Sequence, residues 1–442
     1  YTTLFRSKAP ILARDQCNFF PIKLMKIQDM KKVILAIGIY CSLLHGLKAQ
    51  QVFYSRSHAQ EFLNDSTEYS KRKLKFEEAN IVTGYYDQDG NNSAITGGIG
   101  TEKLTDLANS LELRFSKLDR YNRTHSITAD FNIDQYTSAS SDKIDPLTIS
   151  SASRKDTHIY PSIAWSVKDD LLGTTQGLAY SYSTEYDYKS HGFTASFAKL
   201  SKDKNTEWSF KGGAFLDTYM AILPSELRPA NYPSGAHGDQ KGIDYKPRNS
   251  FNASFAVSQV INQRLQVMAI IEPSFQEGLL STPFHRVYFT NGNETVEKLP
   301  GTRFKLPVGF RLSYFMGDNT IIRAFYRAYI DDWGMAAHTA NLEVPYKISP
   351  FFSISPFYRF NIQGKVDYFK AYGQHATTES YYTSDYDLSS FTSQFMGVGL
   401  RLSPPGGIAS LVNWNSLEVR YGYYSRSNGM IGHSISMSIK IK

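Results

Sequence analysis

Three oxygen-bearing side chains, Asp87, Asp89 and Asn91, stand at one-three-five spacing within "YYDQDGNNSAITGGIG", Tyr85 to Gly100. That spacing converges oxygens on a hard cation such as calcium. An EF-hand loop also needs glycine at its sixth position and glutamate at its twelfth, and this chain has Asn92 and Gly98 there. The stretch is therefore no EF-hand. Asp385 and Asp387 repeat the Asp-x-Asp spacing, and Asp331 with Asp332 form a third acidic pair close to His338. These clusters are expected to face one side of the protein and to offer a divalent cation, calcium first, a shared site. Solvated Asp and Asn in turns are the commoner explanation of such residues.

Other residues suggest chemistry and then fall short of it. The glycines Gly97, Gly98 and Gly100 lack the Gly-Lys-Ser/Thr ending of a phosphate loop, so turn geometry explains them better. The doubled Ser-Ala-Ser at Ser138–Ser140 and Ser151–Ser153 reads as a small-residue turn rather than a row of hydroxyl donors. His158, His285, His338 and His375 fall at or near strand ends, where catalysis would need a nucleophile or paired carboxylates beside them. A surface hydrolase built from Asp87, Asp89, Asp385, Asp387 and His338 is a remote alternative.

The elements that must position these groups are strands. Period-2 alternation dominates from about Ala79 to the end. In "HSISMSIKIK", Ile435, Met437, Ile439 and Ile441 share one face, with Ser434, Ser436, Ser438 and Lys440 on the other. A strand between lipid and water needs this pattern. Sixteen candidate strands follow, joined alternately by wide connections such as Asp217–Ser250 and tight ones such as "KDKN" and "MGDN". An up-and-down antiparallel transmembrane β-barrel with short periplasmic turns and long outer loops has this asymmetry, and an even count puts both ends on the periplasmic side.

Alternation also sorts charge. Opposite the apolar face stand Arg311, Arg323, Arg327, Arg359, Arg401 and Arg420, joined by Glu343 and Glu418. A Lys or Arg facing lipid at mid-bilayer costs roughly 2–4 kcal/mol, so these side chains are expected to point into the lumen. There they form either an anion-favouring wall or an Arg–Glu ladder that stiffens the barrel.

The 442-residue chain contains a secretory-signal pattern in "MKKVILAIGIYCSLLHGLKAQ". Residues 1–29 are accordingly expected to lie upstream of the native protein, 30–49 to be a cleaved signal, 50–78 a polar periplasmic segment, and 79–442 the barrel. Both cysteines, Cys17 and Cys41, fall before the mature start, which excludes disulfides and cysteine metal sites. No later segment reaches the roughly 20 apolar residues of a membrane helix. Aromatic content is 14%, with 30 Tyr and 28 Phe, as aromatic girdles at two interfaces require. The net charge of +7 is spread without a basic run, so no nucleic-acid partner is expected.

Six stretches carry a family likeness: "YYDQDGNNSAITGGIGTEKLTD", "YTSASSDKID" with "SSASRKD", "STPFHRVYF", "YRAYIDDWGMAAHT", "PFYRF" followed by "VDYF", and "YTSDYDLSSFTSQFMGVGLRLSPPGGI". On these the chain resembles the Gram-negative outer-membrane proteins grouped as domain of unknown function 3570, from roughly Tyr69 to the C-terminus. It departs at Ala328 and Asn361, where an aromatic is expected, and at Lys442, where barrel-insertion signals often end on one. The resemblance implies an outer-membrane barrel and no established activity. It also implies company with thioredoxin-like and flavin-attaching proteins.

The expected function is a non-enzymatic pore or transporter for a small polar solute, its outer loops gating an Arg-lined lumen. Its expected partners are outer-membrane lipid and, during biogenesis, the barrel-insertion machinery. The alternative is a plugged barrel acting as scaffold in a surface or periplasmic redox assembly.

Overall fold

The computed structural model describes residues 73–137, 155–232 and 243–442. The upstream segment, the signal, most of the polar segment and the Ser-Ala-Ser turn lie outside the described residues.

The wall begins with β1 (Lys75–Asp89), β2 (Leu104–Leu118) and β3 (Thr124–Thr137), followed by β4 (Lys155–Ile159) and β5 (Ser162–Asp169). It continues through β6 (Thr174–Thr184), β7 (Tyr188–Leu200), β8 (Thr206–Met220) and β9 (Tyr245–Asn262), then β10 (Leu265–Ile271) and β11 (Ser274–Gly278). A small hairpin, β12 (Arg286–Tyr288) and β13 (Glu294–Val296), stands apart from the wall. After it come β14 (Thr302–Met316), β15 (Thr320–Asp331), β16 (Ala336–Glu343) and β17 (Tyr346–Ser349). The wall ends with β18 (Phe352–Gln363), β19 (Phe391–Leu402), β20 (Trp414–Arg426) and β21 (Ile431–Ile441).

Nineteen segments form one sheet, and three wall strands are each split in two, which leaves sixteen. Each split falls at a proline: Pro161 between β4 and β5, Pro273 between β10 and β11, Pro345 between β16 and β17. Proline has no N–H to donate to a ladder, yet its carbonyl still accepts: Tyr182 N bonds Pro161 O at 3.0 Å and Ile321 N bonds Pro345 O at 2.9 Å. All wall pairings are antiparallel, and β1 pairs with both β2 and β21, Ile81 facing Leu111 on one side and Ile439 on the other. The sheet closes on itself, which removes the exposed edges of an open sheet.

The first strand starts at Lys75, before the expected 79. Lys75, Glu77 and Glu78 leave Phe76 as the one apolar residue there, too few for period-2 alternation to register. They are held by pairing with β2 and by Glu78, whose carboxylate meets Arg114 at 3.2 Å and Lys440 at 2.5 Å.

The convex face is apolar. Phe131, Ile163, Leu178, Phe193, Phe310 and Ile435 are among the large hydrophobic side chains left exposed on it, Leu178 at 59%. Exposed apolar surface on this scale needs lipid around it, so this is a transmembrane barrel of the outer-membrane type. Short hairpins at one end repeat a diagonal pair on the exposed face: Tyr180 with His191, Tyr326 with His338 and Tyr421 with His433, hydroxyl to Nδ1 at 2.9, 2.7 and 2.8 Å. Rings with one apolar and one wet side suit an interfacial girdle.

The wall contributes few of the buried hydrophobic residues. Most lie in the connections at the end where β1 finishes: residues 90–103, 221–232, 279–301, 332–335 and 364–390. Leu280, Leu299, Trp333, Met335, Val366, Phe369 and Leu388 form one buried cluster, and Ile95, Tyr219 and Phe284 a second. Burying each large side chain contributes about 1.5–3 kcal/mol. These loops form a cap with its own core.

Candidate functional site

Two places gather charge: the concave face of the wall and the cap above it. On the wall, Glu343 of β16 receives Arg420 of β20 in an ion pair, with Arg323 Nη1 at 3.8 Å and Glu418 beside Arg420 at 3.6 Å. Strands β18 and β19 separate β16 from β20. A contact over two intervening strands is made through the concave side. Gly399 of β19 leaves the path open, since a Cβ there would sit 3.2 Å from Arg420 Nε. Arg420 also lies over the Phe357 ring at 5.2 Å, Arg359 over Phe395 at 5.7 Å and Arg311 over Phe325 at 5.6 Å. These rings stand at alternate positions to the exposed Phe310, Tyr326 and Tyr358. Arg327 and Arg401 belong to the same alternating rows.

In the cap, Arg286 joins three connections. Its guanidinium donates to Ile95 O at 2.7 Å and to Glu226 Oε1 at 2.5 Å, and lies 3.2 Å from Glu294. Gly98 has φ +90°, and a Cβ there would lie 2.7 Å from Ser384 O, so residues 90–103 pack directly on 364–390. Gly97, Gly98 and Gly100 all have positive φ, as the turn reading required. Arg303 and Asp331 form a buried pair at 2.5 Å, and Asp331 also accepts from Tyr329, Trp333 N and Met335 N.

The acidic clusters are placed differently from the shared-cation expectation. Asp89 meets Lys103 at 3.6 Å, Asp387 meets Arg426 at 2.6 Å, Asp331 meets Arg303, and Asp332 accepts Phe304 N at 2.9 Å. Asp87 is in the β1 ladder opposite His433, and Asn91 is exposed. Cations and N–H donors of the chain itself occupy most of these carboxylates. Among the described residues two groups of three His, Asp or Glu side chains converge at metal-ligand spacing, and Asp385 is the single residue of the expected acidic clusters in either. One group is His285, Glu297 and Asp385; the other is Asp156, Glu185 and Asp187.

The first group has a built geometry. His285 and Glu297 face each other across the mouth of the β12–β13 hairpin, where Glu297 N donates to His285 O at 2.8 Å. Asp385 arrives on the 364–390 connection, docked by two backbone bonds between Lys298 and Tyr382 at 2.8 and 3.0 Å. His285 Nδ1 lies 3.7 Å from Glu297 Oε1 and 3.6 Å from Asp385 Oδ2. It is buried and has no hydrogen-bond partner. Glu297 accepts from Thr383 Oγ1 at 2.5 Å and Thr282 N at 2.7 Å. Burial pushes the Glu297 carboxyl up, but His285 and those two donors bring it net below its usual range. Burial and the neighbouring Asp387 charge raise Asp385 to about 6.

Glu297 escaped the sequence reading, although Asn291-Gly292 inside "HRVYFTNGNETVE" is a hairpin signal that sets His285 opposite it. The expected hydrolase grouping is not formed. His338 sits on the exposed face bonded to Tyr326, at the girdle, while Asp387 is paired to Arg426. His375 is fully buried and partnered, Nδ1 to Glu379 at 2.7 Å and Nε2 to Thr383 O at 3.0 Å.

Comparison with known proteins agrees with the resemblance. The family described as "Protein of unknown function (DUF3570)" matches residues 132–439, and the chain belongs to that family. The match starts after the first quoted stretch, Tyr85 to Asp106. No protein of curated function matches. Among solved structures, OpdK of Pseudomonas aeruginosa with vanillate is 8% identical, covering 84% of this chain and 98% of that one at a TM-score of 0.41. OccD3 (OpdP) of the same organism is 6% identical, with 83% and 91% covered and a TM-score of 0.42. A BenF-like porin from Pseudomonas fluorescens Pf-5 is 9% identical, with 82% and 98% covered and a TM-score of 0.40.

Proposed function

We propose that the mature chain resides in the outer membrane, after cleavage of a signal over residues 30–49, as a non-enzymatic passage for a small polar solute. In this reading Arg311, Arg323, Arg327, Arg359, Arg401 and Arg420 line the lumen with Glu343 and Glu418, and the loop cap controls entry. The observation that carries it is the Arg420–Glu343 pair, made over β18 and β19 on the concave side of a closed wall. Rings of charge bias which ions cross a pore, and six arginines against two glutamates favour anions. Planar-bilayer recording tests this: purified barrel is expected to conduct with an anion-selective reversal potential that Arg359→Gln with Arg420→Gln shifts toward cations. A folded barrel that insulates overturns the reading.

The buried core of the cap favours a second reading, a plugged barrel serving as scaffold for redox partners. Under that reading the intact barrel insulates, conducts once residues 370–382 are removed, and yields crosslinked thioredoxin-like proteins from native membranes.

A further inference from the structure

We infer that His285, Glu297 and Asp385 bind one divalent first-row transition-metal ion, which ties the β12–β13 hairpin to the 364–390 connection. The distances argue for an ion rather than a hydrogen-bonded triad. His285 Nδ1 stands 3.6 and 3.7 Å from its two carboxylate neighbours, beyond the roughly 2.7–3.2 Å of an N–H to oxygen hydrogen bond. Two ligand atoms about 2.1 Å from one tetrahedral ion lie ~3.4 Å apart, within a few tenths of what is found. A buried imidazole nitrogen with no partner is costly unless something satisfies it, and an electron-pair acceptor at the centre of the three atoms does so.

The chemistry of the set selects the ion. One imidazole with two carboxylates suits zinc, manganese, iron or cobalt, whereas calcium and magnesium take oxygen ligands almost alone. Two carboxylates and a neutral imidazole balance a 2+ charge. Each carboxylate is also held by a donor on the oxygen away from His285, as metal ligands commonly are. Thr282 N donates to Glu297 Oε2, while Thr383 adds a bond to Glu297 Oε1 itself. Asp387 N donates to Asp385 Oδ1 at 2.9 Å, which leaves Oδ2 turned toward His285. Asp385 keeps 22% of its side chain exposed, against 6% and 3% for His285 and Glu297. That opening gives an entry path and room for water as a further ligand. The Asp156, Glu185 and Asp187 group offers carboxylates alone and carries no such argument.

The test uses the full barrel in detergent, stripped with chelator and dialysed against cobalt(II) chloride or calcium chloride. One Co²⁺ per chain is expected, with visible d–d absorption that zinc chloride abolishes, and with calcium failing to compete. His285→Ala is expected to lose the absorption, Thr383→Val to weaken binding about 10-fold, and Asp87→Asn with Asp89→Asn to bind as the unmodified chain does. Heat-modifiable electrophoretic mobility reports that the wall of each variant is folded. Equal cobalt binding by folded His285→Ala, or none by the unmodified chain, overturns the assignment. If His285→Ala does not fold, X-ray absorption of the cobalt-loaded unmodified chain decides. One imidazole nitrogen among oxygens supports the site, and an all-oxygen shell overturns it.

Discussion

The wall and the cap obey opposite rules. In the wall, apolar side chains such as Leu178, Phe310 and Ile435 are exposed, and ion pairs such as Arg420–Glu343 stand on the concave side. In the cap, Leu280, Trp333, Met335 and Val366 are buried against one another, the Arg286 guanidinium is buried in the cap, and the Arg303–Asp331 pair is buried where the cap meets the wall. The wall is held by a continuous hydrogen-bonded ladder and by lipid on its convex face. The cap has almost no ladder, and is held by a small core and a few charge-assisted bonds. Lipid therefore forgives much in the wall that water does not forgive in the cap. A single lost partner weighs more in the cap.

The comparison is broken most forcefully at the joint between the two regions. Asp331→Ala leaves Arg303 buried without its partner, which is expected to cost about 3–5 kcal/mol. Equilibrium denaturation from lipid vesicles reads that loss, and limited proteolysis is expected to cut 279–301 and 364–390 while the wall stays resistant. Wall and cap melting together after this change would show that they are one cooperative unit.

Next in size is Phe310→Arg, near the centre of β14 on the convex face. It is expected to cost about 2–4 kcal/mol, because a guanidinium then faces hydrocarbon. The same substitution at the neighbouring Ser313, on the opposite row, is expected to cost far less. Equal penalties at the two positions would overturn the assignment of faces.

Smaller is a pH effect confined to the cap. Burial, aided by the Asp387 charge, raises Glu102 from 4.5 to about 7. The folded loop thus keeps a proton that the opened loop releases, so the loop is expected to loosen as pH rises from about 4.5 to 7. The contribution is on the order of 1–3 kcal/mol at most. Protease cleavage within 90–103 should increase over that window, and Glu102→Gln should remove the slope while bilayer insertion is unchanged.

The smallest effect is at the girdle. Tyr326→Phe removes the hydroxyl bonded to His338 and is expected to cost about 0.5–1.5 kcal/mol by the same denaturation assay. A loss as large as that of Asp331→Ala would mean that the girdle is buried against something other than lipid.

Alternation made the wall legible from the residues. Ile435 and Met437 against Ser434 and Ser436 name both faces of β21 without any knowledge of its neighbours, because lipid and water each act on one residue at a time. Long and short connections gave the strand order for the same reason. The places where alternation faltered were local: prolines 161, 273 and 345 interrupt strands, and the charged Lys75, Glu77 and Glu78 lengthen β1 beyond the clear alternation. The candidate metal group was half legible. His285 and Asp385 stood out by residue type, and the Asn291-Gly292 turn held the information for Glu297. The partner of Asp385 was hidden, since the choice lay among several carboxylates of equal chemistry.

The sequence by itself thus determined a sixteen-stranded barrel, its two faces and its long-loop end, because strand period and bilayer are both one-dimensional constraints. Only the tertiary structure decided which acidic side chains meet cations of the chain, as Asp331 meets Arg303, and which remain turned toward a histidine, as Asp385 does. That choice depends on loops far apart in sequence packing on one another. No local rule fixes the distance between residues 285 and 385; the Lys298–Tyr382 backbone bonds and the core beneath them do.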